Sequence, residues 1–211
     1  MRETRGLGGS MGDGEWSAYY RANDGREPRP MLLEVLAGYD EPGRAVDLGC
    51  GAGIDTVAML ERGWDVLAID AEAEAIERLA ARTPADATSR LRTQLAPMED
   101  ADLPEVDLVW ASYSLFFCDP RRFPEVWNRI GAALRAEGRI ACQLLGDRDT
   151  WAGGDRISSF DRDAALALFD GWTLERFEED ENDGDACSGP KHWHVFHVVA
   201  RRDGARPQVA V

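Results

Sequence analysis

Residues 46–53 read Val46-Asp47-Leu48-Gly49-Cys50-Gly51-Ala52-Gly53 and join a short apolar strand to a helix. The Gly-x-Gly-x-Gly spacing lets backbone pass close to a ligand and lets the helix begin directly against the strand. Asp47 lies just before the glycines, where its carboxylate would repel a dinucleotide pyrophosphate but attract the ammonium of an amino acid. Asp70 ends the next strand, where a carboxylate can accept hydrogen bonds from both ribose hydroxyls. The two acids favour a ligand with a ribose, a cationic amino-acid group and no phosphate, as in S-adenosylmethionine.

Strands and helices alternate outward from this motif. The hydrophobic pattern predicts strands at 44–48, 65–69, 91–96, 107–111, 138–145, 172–177 and 193–201. Helices separate most of the first five strands, and an irregular stretch joins the third to the fourth, which predicts βαβ units and a mainly parallel sheet. The last two strands follow each other through an acidic segment, Glu175 to Asp185, which we interpret as a solvated hairpin loop. The expected fold is α/β and Rossmann-like: a doubly wound, seven-stranded, mainly parallel sheet with a C-terminal antiparallel hairpin.

Length and composition predict one domain with short flanking segments. The chain has 211 residues and a mass of 23.3 kDa, which suits a single domain. The expected parts are a disordered or tag-like stretch 1–14, one domain 15–201 and a loose tail 202–211. Within the domain we expect N-terminal lid helices at 15–40, a cofactor-binding core at 44–145, and a C-terminal helix and hairpin at 146–201.

Charge and cysteine content limit the classes of binding partner and the cellular compartment that we expect. The chain carries 24 Lys and Arg against 39 Asp and Glu, a net charge of −15, which opposes binding to nucleic acid or anionic membranes. No apolar run is long enough for a membrane span, and the N-terminus does not read as a secretory signal. The four cysteines form neither a CxxC pair nor a zinc-like pattern, so we expect reduced thiols in a cytoplasmic protein.

The DLGCGAG block, followed about 20 residues later by a strand-terminal acid, resembles the class I S-adenosylmethionine-dependent methyltransferases. The likeness covers roughly residues 44–145 and implies S-adenosylmethionine as cofactor and S-adenosylhomocysteine as product. It implies that Gly49 and Gly51 line the methionine moiety and that Asp47 steers its ammonium or holds the loop. It places Asp70 on the ribose and Ala71 against the adenine.

The same resemblance assigns the rest of the cofactor site. Met98 and Glu99 occupy the stretch that contacts the adenine edge. Many relatives carry an acid where Pro97 stands, so the adenine amino contact is expected from Glu99 or Asp100. The complete set that the resemblance places around the cofactor is Asp47, Gly49, Cys50, Gly51, Gly53, Asp70, Ala71, Met98, Glu99, Ala111 and Ser112.

Four downstream segments resemble the small tellurite-resistance-type branch of this superfamily. They are ASYSLFF at 111–117, Gly171-Trp172, FEEDENDGD at 177–185 and KHWHVFHVVARR at 191–202. That branch has a minimal core, and the resemblance implies a small, soft nucleophile or a small metabolite as methyl acceptor.

Three catalytic candidates follow from position: Tyr113, His194 and Tyr20. Tyr113 follows the fourth strand at its C-terminal end, where open α/β sheets bind ligands. Trp16, Tyr19 and Tyr20 share one helix face, which either packs the helix or closes a lid over the cofactor.

The three histidines, His192, His194 and His197, lie in one predicted strand. Alternation places His192 and His194 on one face and His197 on the other. A pair two apart can chelate a metal, but no Asp, Glu or Cys of that strand completes a site, so no metal is expected. His192 or His194 is instead a candidate general base or a hydrogen-bonded strand histidine. We interpret Arg29 as a surface residue, with binding to a carboxylate of cofactor or substrate as the alternative. Phe116 and Phe117 form either pocket walls or core.

The leading hypothesis is a methyltransferase that acts on a small molecule by direct in-line displacement. One alternative is a cofactor-binding regulatory or interaction module without turnover. Another is a nicotinamide-dependent oxidoreductase, which Asp47 disfavours. The sequence leaves the acceptor and the oligomeric state open.

Overall fold

The alternation of strands and helices gives one eight-stranded sheet covered on both faces. The computed structural model describes residues 13–186 and 189–203. Its elements, in chain order, are α1 Asp13–Ala22, α2 Pro30–Ala37, β1 Arg44–Leu48, α3 Ile54–Glu61, β2 Asp65–Asp70, α4 Ala73–Arg82, β3 Leu91–Leu95, β4 Val106–Ala111, α5 Phe123–Ala133, β5 Leu134–Gly146, β6 Ser159–Phe160, α6 Arg162–Ala167, β7 Trp172–Ala186 and β8 Gly189–Arg202. The expectations for residues 1–12 and 204–211 lie outside the described residues.

The strand order is β3-β2-β1-β4-β5-β8-β7, with β6 beside the end of β5. Strands β1 to β5 pair in parallel, and β8 runs antiparallel to both β5 and β7. The Rossmann-like fold with its C-terminal antiparallel hairpin is therefore confirmed. The eighth strand, β6, forms because β5 is longer than β4. Cys142 is the last residue of β5 that pairs with β4, and beyond it Leu145 and Gly146 pair with β6.

The acidic segment 175–185 is a strand rather than the predicted loop. β7 continues to Ala186 and pairs with β8 along its whole length, with Asp180 opposite Val195. Its acidic side chains meet cations: Arg148 contacts Glu179 at 2.9 Å and Glu181 at 2.7 Å. These ion pairs reduce the repulsion between carboxylates that a loop assignment assumes, and the hairpin extends accordingly.

Two apolar cores fill the faces of the sheet. On one face, Val46, Val109 and Phe196 pack with α5 through Phe123 and Ile130. The other face buries a separate set, which includes Leu32, Met59, Leu60, Leu108 and Trp110. Neighbouring residues of β4 thus point into different cores, as the pleat requires. No helix among the described residues is long and apolar enough to cross a lipid bilayer.

Candidate functional site

A cavity of about 950 Å³ opens at the C-terminal ends of β1, β2 and β4. The strand order reverses between β1 and β4, and open α/β sheets bind ligands at such a switch point. One part, which we call the glycine half, includes Asp47, Gly49, Cys50, Gly51, Asp70, Ala71 and Met98. The other part, the aromatic half, includes Tyr113, Phe116, Phe117, Trp151, Asp180, Trp193 and His197. The volume of the whole cavity lies at the upper end of the range of roughly 300–1,000 Å³ seen in small-molecule sites.

The three glycines of the motif have different neighbours. All three have positive φ, but a Cβ on Gly49 would lie 2.4 Å from Ser114 Cβ, and one on Gly53 would lie 2.4 Å from Leu79 Cδ1. A Cβ on Gly51 would meet only Tyr20 Cε1, at 3.6 Å, on the cavity side. Gly49 and Gly53 therefore serve close packing, while Gly51 keeps backbone exposed to the cavity.

Asp70 ties the glycine loop to the end of β2. Its carboxylate accepts hydrogen bonds from the backbone N–H of Gly51 at 2.7 Å and of Glu72 at 2.9 Å. Burial raises the pKa of Asp70, and the two N–H donors act in the opposite direction. Each carboxylate oxygen retains acceptor capacity for a further hydrogen bond. This carboxylate is both a loop anchor and a polar group of the cavity wall.

Asp47 is buried beneath the same loop. Thr56 Oγ1 donates to Asp47 Oδ2 at 2.5 Å, and only 2% of the residue is exposed. Burial raises the pKa of Asp47 to about 8. The neighbouring Asp55 is paired bidentately with Arg26, at 2.9 and 3.0 Å. Asp47 thus lacks a direct cationic partner among the described residues, and a ligand ammonium would supply one.

Helix α1 covers the glycine half with aromatic side chains. Tyr20 is 2% exposed and its ring lies near Gly51, while the Trp16 ring lies 6.2 Å from that of Tyr20 and 5.1 Å from that of Phe117. Burial raises the pKa of the Tyr20 phenol, which therefore keeps its proton. Helix α1 therefore closes the glycine half of the cavity on one side.

Tyr113 and Arg29 lie together at the boundary of the two halves. Tyr113 has φ of +52° and donates its backbone N–H to Gln143 Oε1 at 3.1 Å. The Arg29 guanidinium lies 4.3 Å from the centre of the Tyr113 ring. The interpretation of Arg29 as a surface residue is wrong, since it lines the cavity and its buried Nε has no hydrogen-bond partner in the described structure. The Ser112 hydroxyl, also on the cavity wall, is buried without a partner in the same way.

The structure places His194 away from the cavity, which corrects its selection as a catalytic candidate. His194 is fully buried on the opposite face of β8, where its Nδ1 accepts from the backbone N–H of Arg148 at 3.1 Å and its Nε2 lies 3.0 Å from Glu179. The cavity histidine is His197, whose Nε2 lies 3.3 Å from Asp180 Oδ2. Burial lowers the pKa of His197, which favours the neutral imidazole.

Glu99 and Ala111 also lie off the cavity wall. Glu99 Oε1 accepts from the backbone N–H of Asp119 at 2.8 Å, and Ala111 is fully buried in the core. Asp100 pairs with Arg122 at 2.8 Å, so neither acid expected at the adenine edge faces the cavity. The predicted residues that the structure brings together on the cavity wall are Tyr20, Asp47, Gly49, Cys50, Gly51, Gly53, Asp70, Ala71, Met98, Ser112 and Tyr113.

Sequence reasoning missed Trp151 and Trp193, which line the aromatic half together with His197. Trp193 and His197 could have been found together, since each lies two residues from Val195 on the same face of a strand. Trp151 lies in an irregular segment that gives no such signal. Within residues 13–186 and 189–203, no three His, Cys, Asp or Glu side chains are grouped so as to hold a metal ion.

Comparisons with known proteins agree with this geometry. A methyltransferase-domain family model matches residues 45–138. The magnesium-protoporphyrin O-methyltransferase of Rhodobacter capsulatus is 34% identical over 109 residues, which cover 51% of this chain and 49% of that protein. The chain thus spans about half the length of that curated relative. It spans a smaller share of the length of other curated relatives with similar identity.

Solved structures share the fold. TehB from Haemophilus influenzae has a TM-score of 0.73 at 14% identity, covering 90% of this chain and 67% of that one. The Burkholderia thailandensis 1,6-didemethyltoxoflavin-N1-methyltransferase has a TM-score of 0.63 at 22% identity, covering 92% of both chains. The motif, the strand order and the match over residues 45–138 give this chain a methyltransferase domain similar to those of the class I superfamily, whose members use S-adenosylmethionine.

Proposed function

We propose that this chain transfers the methyl group of S-adenosylmethionine to a small-molecule acceptor. The observation that carries the proposal is one cavity with two unlike halves. The glycine half offers exposed backbone at Gly51 and the carboxylates of Asp47 and Asp70, which suit a ligand with a ribose and a cationic amino-acid end. The aromatic half lies beyond Ser112 and Tyr113 and leaves room for a second molecule.

The residues present fit the cofactor. Gly51 leaves the cavity open where any side chain would intrude, and Ser112 presents a buried hydroxyl that lacks a partner. Asp70 would hold the ribose hydroxyls, Asp47 would release its proton and pair with the ammonium, and Ala71 and Met98 would line the adenine. When bound, the cofactor supplies a methyl group activated by a sulfonium, and the C–S bonding electrons stay on sulfur as the acceptor lone pair takes the methyl carbon.

The chain's own contribution is orientation, exclusion of water and removal of a proton. Tyr20 and Trp16 cover the glycine half, and Tyr113 borders the place where the two halves meet. Asp180, held by His197, is the group that takes the proton when the acceptor atom carries one, and it replaces His194 in that role. The Gln143 amide orients this pair, because its Oε1 accepts from the Tyr113 N–H and its Nε2 lies 3.4 Å from His197 Nδ1. Gln143 therefore donates to Nδ1, and the His197 proton sits on Nε2 toward Asp180.

A small acceptor suits the enclosure of the cavity between α1 and the hairpin. Acidic side chains line it on both sides, including Asp70, Asp180 and Asp185. This charge attracts a sulfonium cofactor and opposes nucleic acid. The free thiols Cys50, Cys118 and Cys142 keep the cytoplasm as the expected compartment, while Cys187 lies outside the described residues.

Calorimetry with S-adenosylhomocysteine tests the cofactor assignment. We expect Asp70→Ala to weaken binding by on the order of 2 kcal/mol, about thirtyfold, because it removes a charged acceptor for two hydroxyls and a loop anchor. Asp65→Ala, at the exposed start of β2, is the matched control and should bind normally. NADH should not bind. Unchanged affinity in Asp70→Ala would refute the assignment, and tight binding without turnover on any acceptor would favour a regulatory module.

A further inference from the structure

The aromatic half has a continuous aromatic wall. Ring centres lie 6.1 Å apart between Tyr113 and Trp193, and 5.7 Å apart between Trp193 and Trp151. The wall continues from Trp151 to Phe116 at 6.2 Å and to Phe117 at 6.0 Å. All five rings line the cavity. Such a wall presents flat apolar surface, and its polar groups are the Tyr113 hydroxyl, the two indole N–H groups and the side chains of the hairpin.

A buried ion pair holds the two indoles of this wall. Lys191 Nζ donates to both carboxylate oxygens of Asp149, and the two side chains are at most 1% exposed. The same ammonium lies 3.6 Å from the ring centre of Trp193 and 4.4 Å from that of Trp151. Asp149 also accepts from the Trp151 backbone N–H at 2.8 Å. A buried pair of this kind costs desolvation, and here it fixes the position of both rings.

The charges around the wall select against anions. Asp180 and Asp185 line this side of the cavity, and Asn182 lies between them on β7. Among the described residues that line the cavity, the basic ones are Arg26 and Arg29. Arg26 is paired with Asp55, and the Arg29 guanidinium lies over the Tyr113 ring. An acceptor carboxylate placed against β7 would face two carboxylates. A neutral or cationic molecule with O–H or N–H groups would instead find acceptors there.

We propose that the methyl acceptor is a planar aromatic or heteroaromatic molecule without a negative charge, seated against Trp151 and Trp193 with its polar edge toward β7. This inference rests on the proposed methyl transfer and adds the acceptor class. Ring-to-ring contact favours flat unsaturated molecules over saturated ones of equal size. The prearranged indoles lose little freedom on binding, so the wall need not reorganise to receive the acceptor.

Calorimetry on protein saturated with S-adenosylhomocysteine tests the inference with three matched probes. They are 2-naphthol, its saturated counterpart decahydro-2-naphthol, and the carboxylated 6-hydroxy-2-naphthoate. We expect 2-naphthol to bind at least about tenfold more tightly than either of the others. Trp193→Leu should weaken 2-naphthol about tenfold while S-adenosylhomocysteine binds normally, and Trp193→Phe should retain most of the affinity. Leu95→Ala, on the exposed face of β3, should change neither ligand.

Each contrary result has a distinct meaning. Equal binding of the three probes, tightest binding of the carboxylate, or no binding of 2-naphthol to protein that holds S-adenosylhomocysteine would overturn the aromatic acceptor and leave methyl transfer standing. Loss of S-adenosylhomocysteine binding in Trp193→Leu is resolved by Trp193→Phe, which must bind both ligands for the inference to hold. Failure of the unaltered protein to bind S-adenosylhomocysteine would instead overturn the proposed function, and this inference with it.

Discussion

At the residue scale, Gly51 and Gly53 lie two positions apart and meet different surroundings. A side chain on Gly51 would extend toward the cavity and Tyr20, whereas one on Gly53 would collide with Leu79 of α4. Both residues have positive φ, of +53° and +80°, so any replacement pays a similar backbone penalty. The difference between their variants therefore reports what lies beyond the Cβ.

We predict that Gly51→Val abolishes binding of S-adenosylhomocysteine while the protein stays folded. Its free energy of unfolding should fall by about 1–2 kcal/mol, the cost of a left-handed backbone conformation. The free energy of unfolding of Gly53→Val should be lower by roughly a further 1–3 kcal/mol, because the new side chain would overpack the contact between the loop and α4. Urea unfolding and calorimetry measure the two effects. Normal ligand binding by folded Gly51→Val would show that the loop does not cradle the cofactor.

Among single residues, the sequence predicted those whose role is local. Asp47, Gly51 and Asp70 belong to one strand–turn–helix unit and to the end of the neighbouring strand, so their spacing fixed where they meet. His194 and His197 could not be ranked in this way. Alternation separates their faces, but only the pairing of β8 between β5 and β7 decides which face meets the cavity.

At the scale of elements, α1 is held by few contacts outside its aromatic face. Ser17 hydrogen-bonds Glu74, and Asp24, just after the helix, pairs with Arg82 at 2.6 Å. The helix contributes Tyr20 to a small apolar cluster with Ala52 and Ala75, apart from the two main cores. Its packing is therefore concentrated over the cavity.

We predict that deleting residues 1–22 lowers turnover much more than it lowers the melting temperature. The deletion removes Trp16 and Tyr20 from above the glycine half and lets water in, but it leaves both main cores intact. Release of S-adenosylhomocysteine and calorimetric melting provide the two readings. A truncated protein with full activity would exclude a lid role for α1.

Elements with strong alternation were predictable, and the acidic strand was not. Among β1 to β5, every strand except β3 carries an apolar run bounded by turn residues, so the positions of those four follow from the pattern. In β7, charge suggested a loop because a sequence does not show partners across the strand. Arg148, which neutralises Glu179 and Glu181, lies 31 and 33 residues away from them in the chain.

At the scale of the whole molecule, Asp47 makes stability depend on pH. Burial raises the pKa of Asp47 from 3.8 to about 8 in the folded protein. The unfolded chain releases this proton near pH 4, so between about pH 4 and pH 8 the folded state binds more protons. The stabilising contribution of Asp47 is therefore complete below pH 4 and is lost as the pH rises toward 8.

We predict that Asp47→Asn gains stability relative to the unaltered protein as the pH rises. Asparagine keeps an oxygen for the Thr56 hydroxyl but carries no charge to bury. The difference in free energy of unfolding should grow by a few kcal/mol between pH 5 and pH 9, measured by urea without ligand. A difference in free energy of unfolding between the two proteins that stays the same at every pH would contradict a buried, proton-binding Asp47.

The two faces of β8 are also under different evolutionary constraints. Trp193, Val195 and His197 face the cavity, while His194, Phe196 and Val198 face the interior. Trp193 and His197 lie outside both main cores, so a lineage can acquire a new acceptor through them without first losing its fold. Substitutions at the second set are removed by selection for folding, whatever the acceptor. Descendants of this chain should therefore diverge at every second position of one strand.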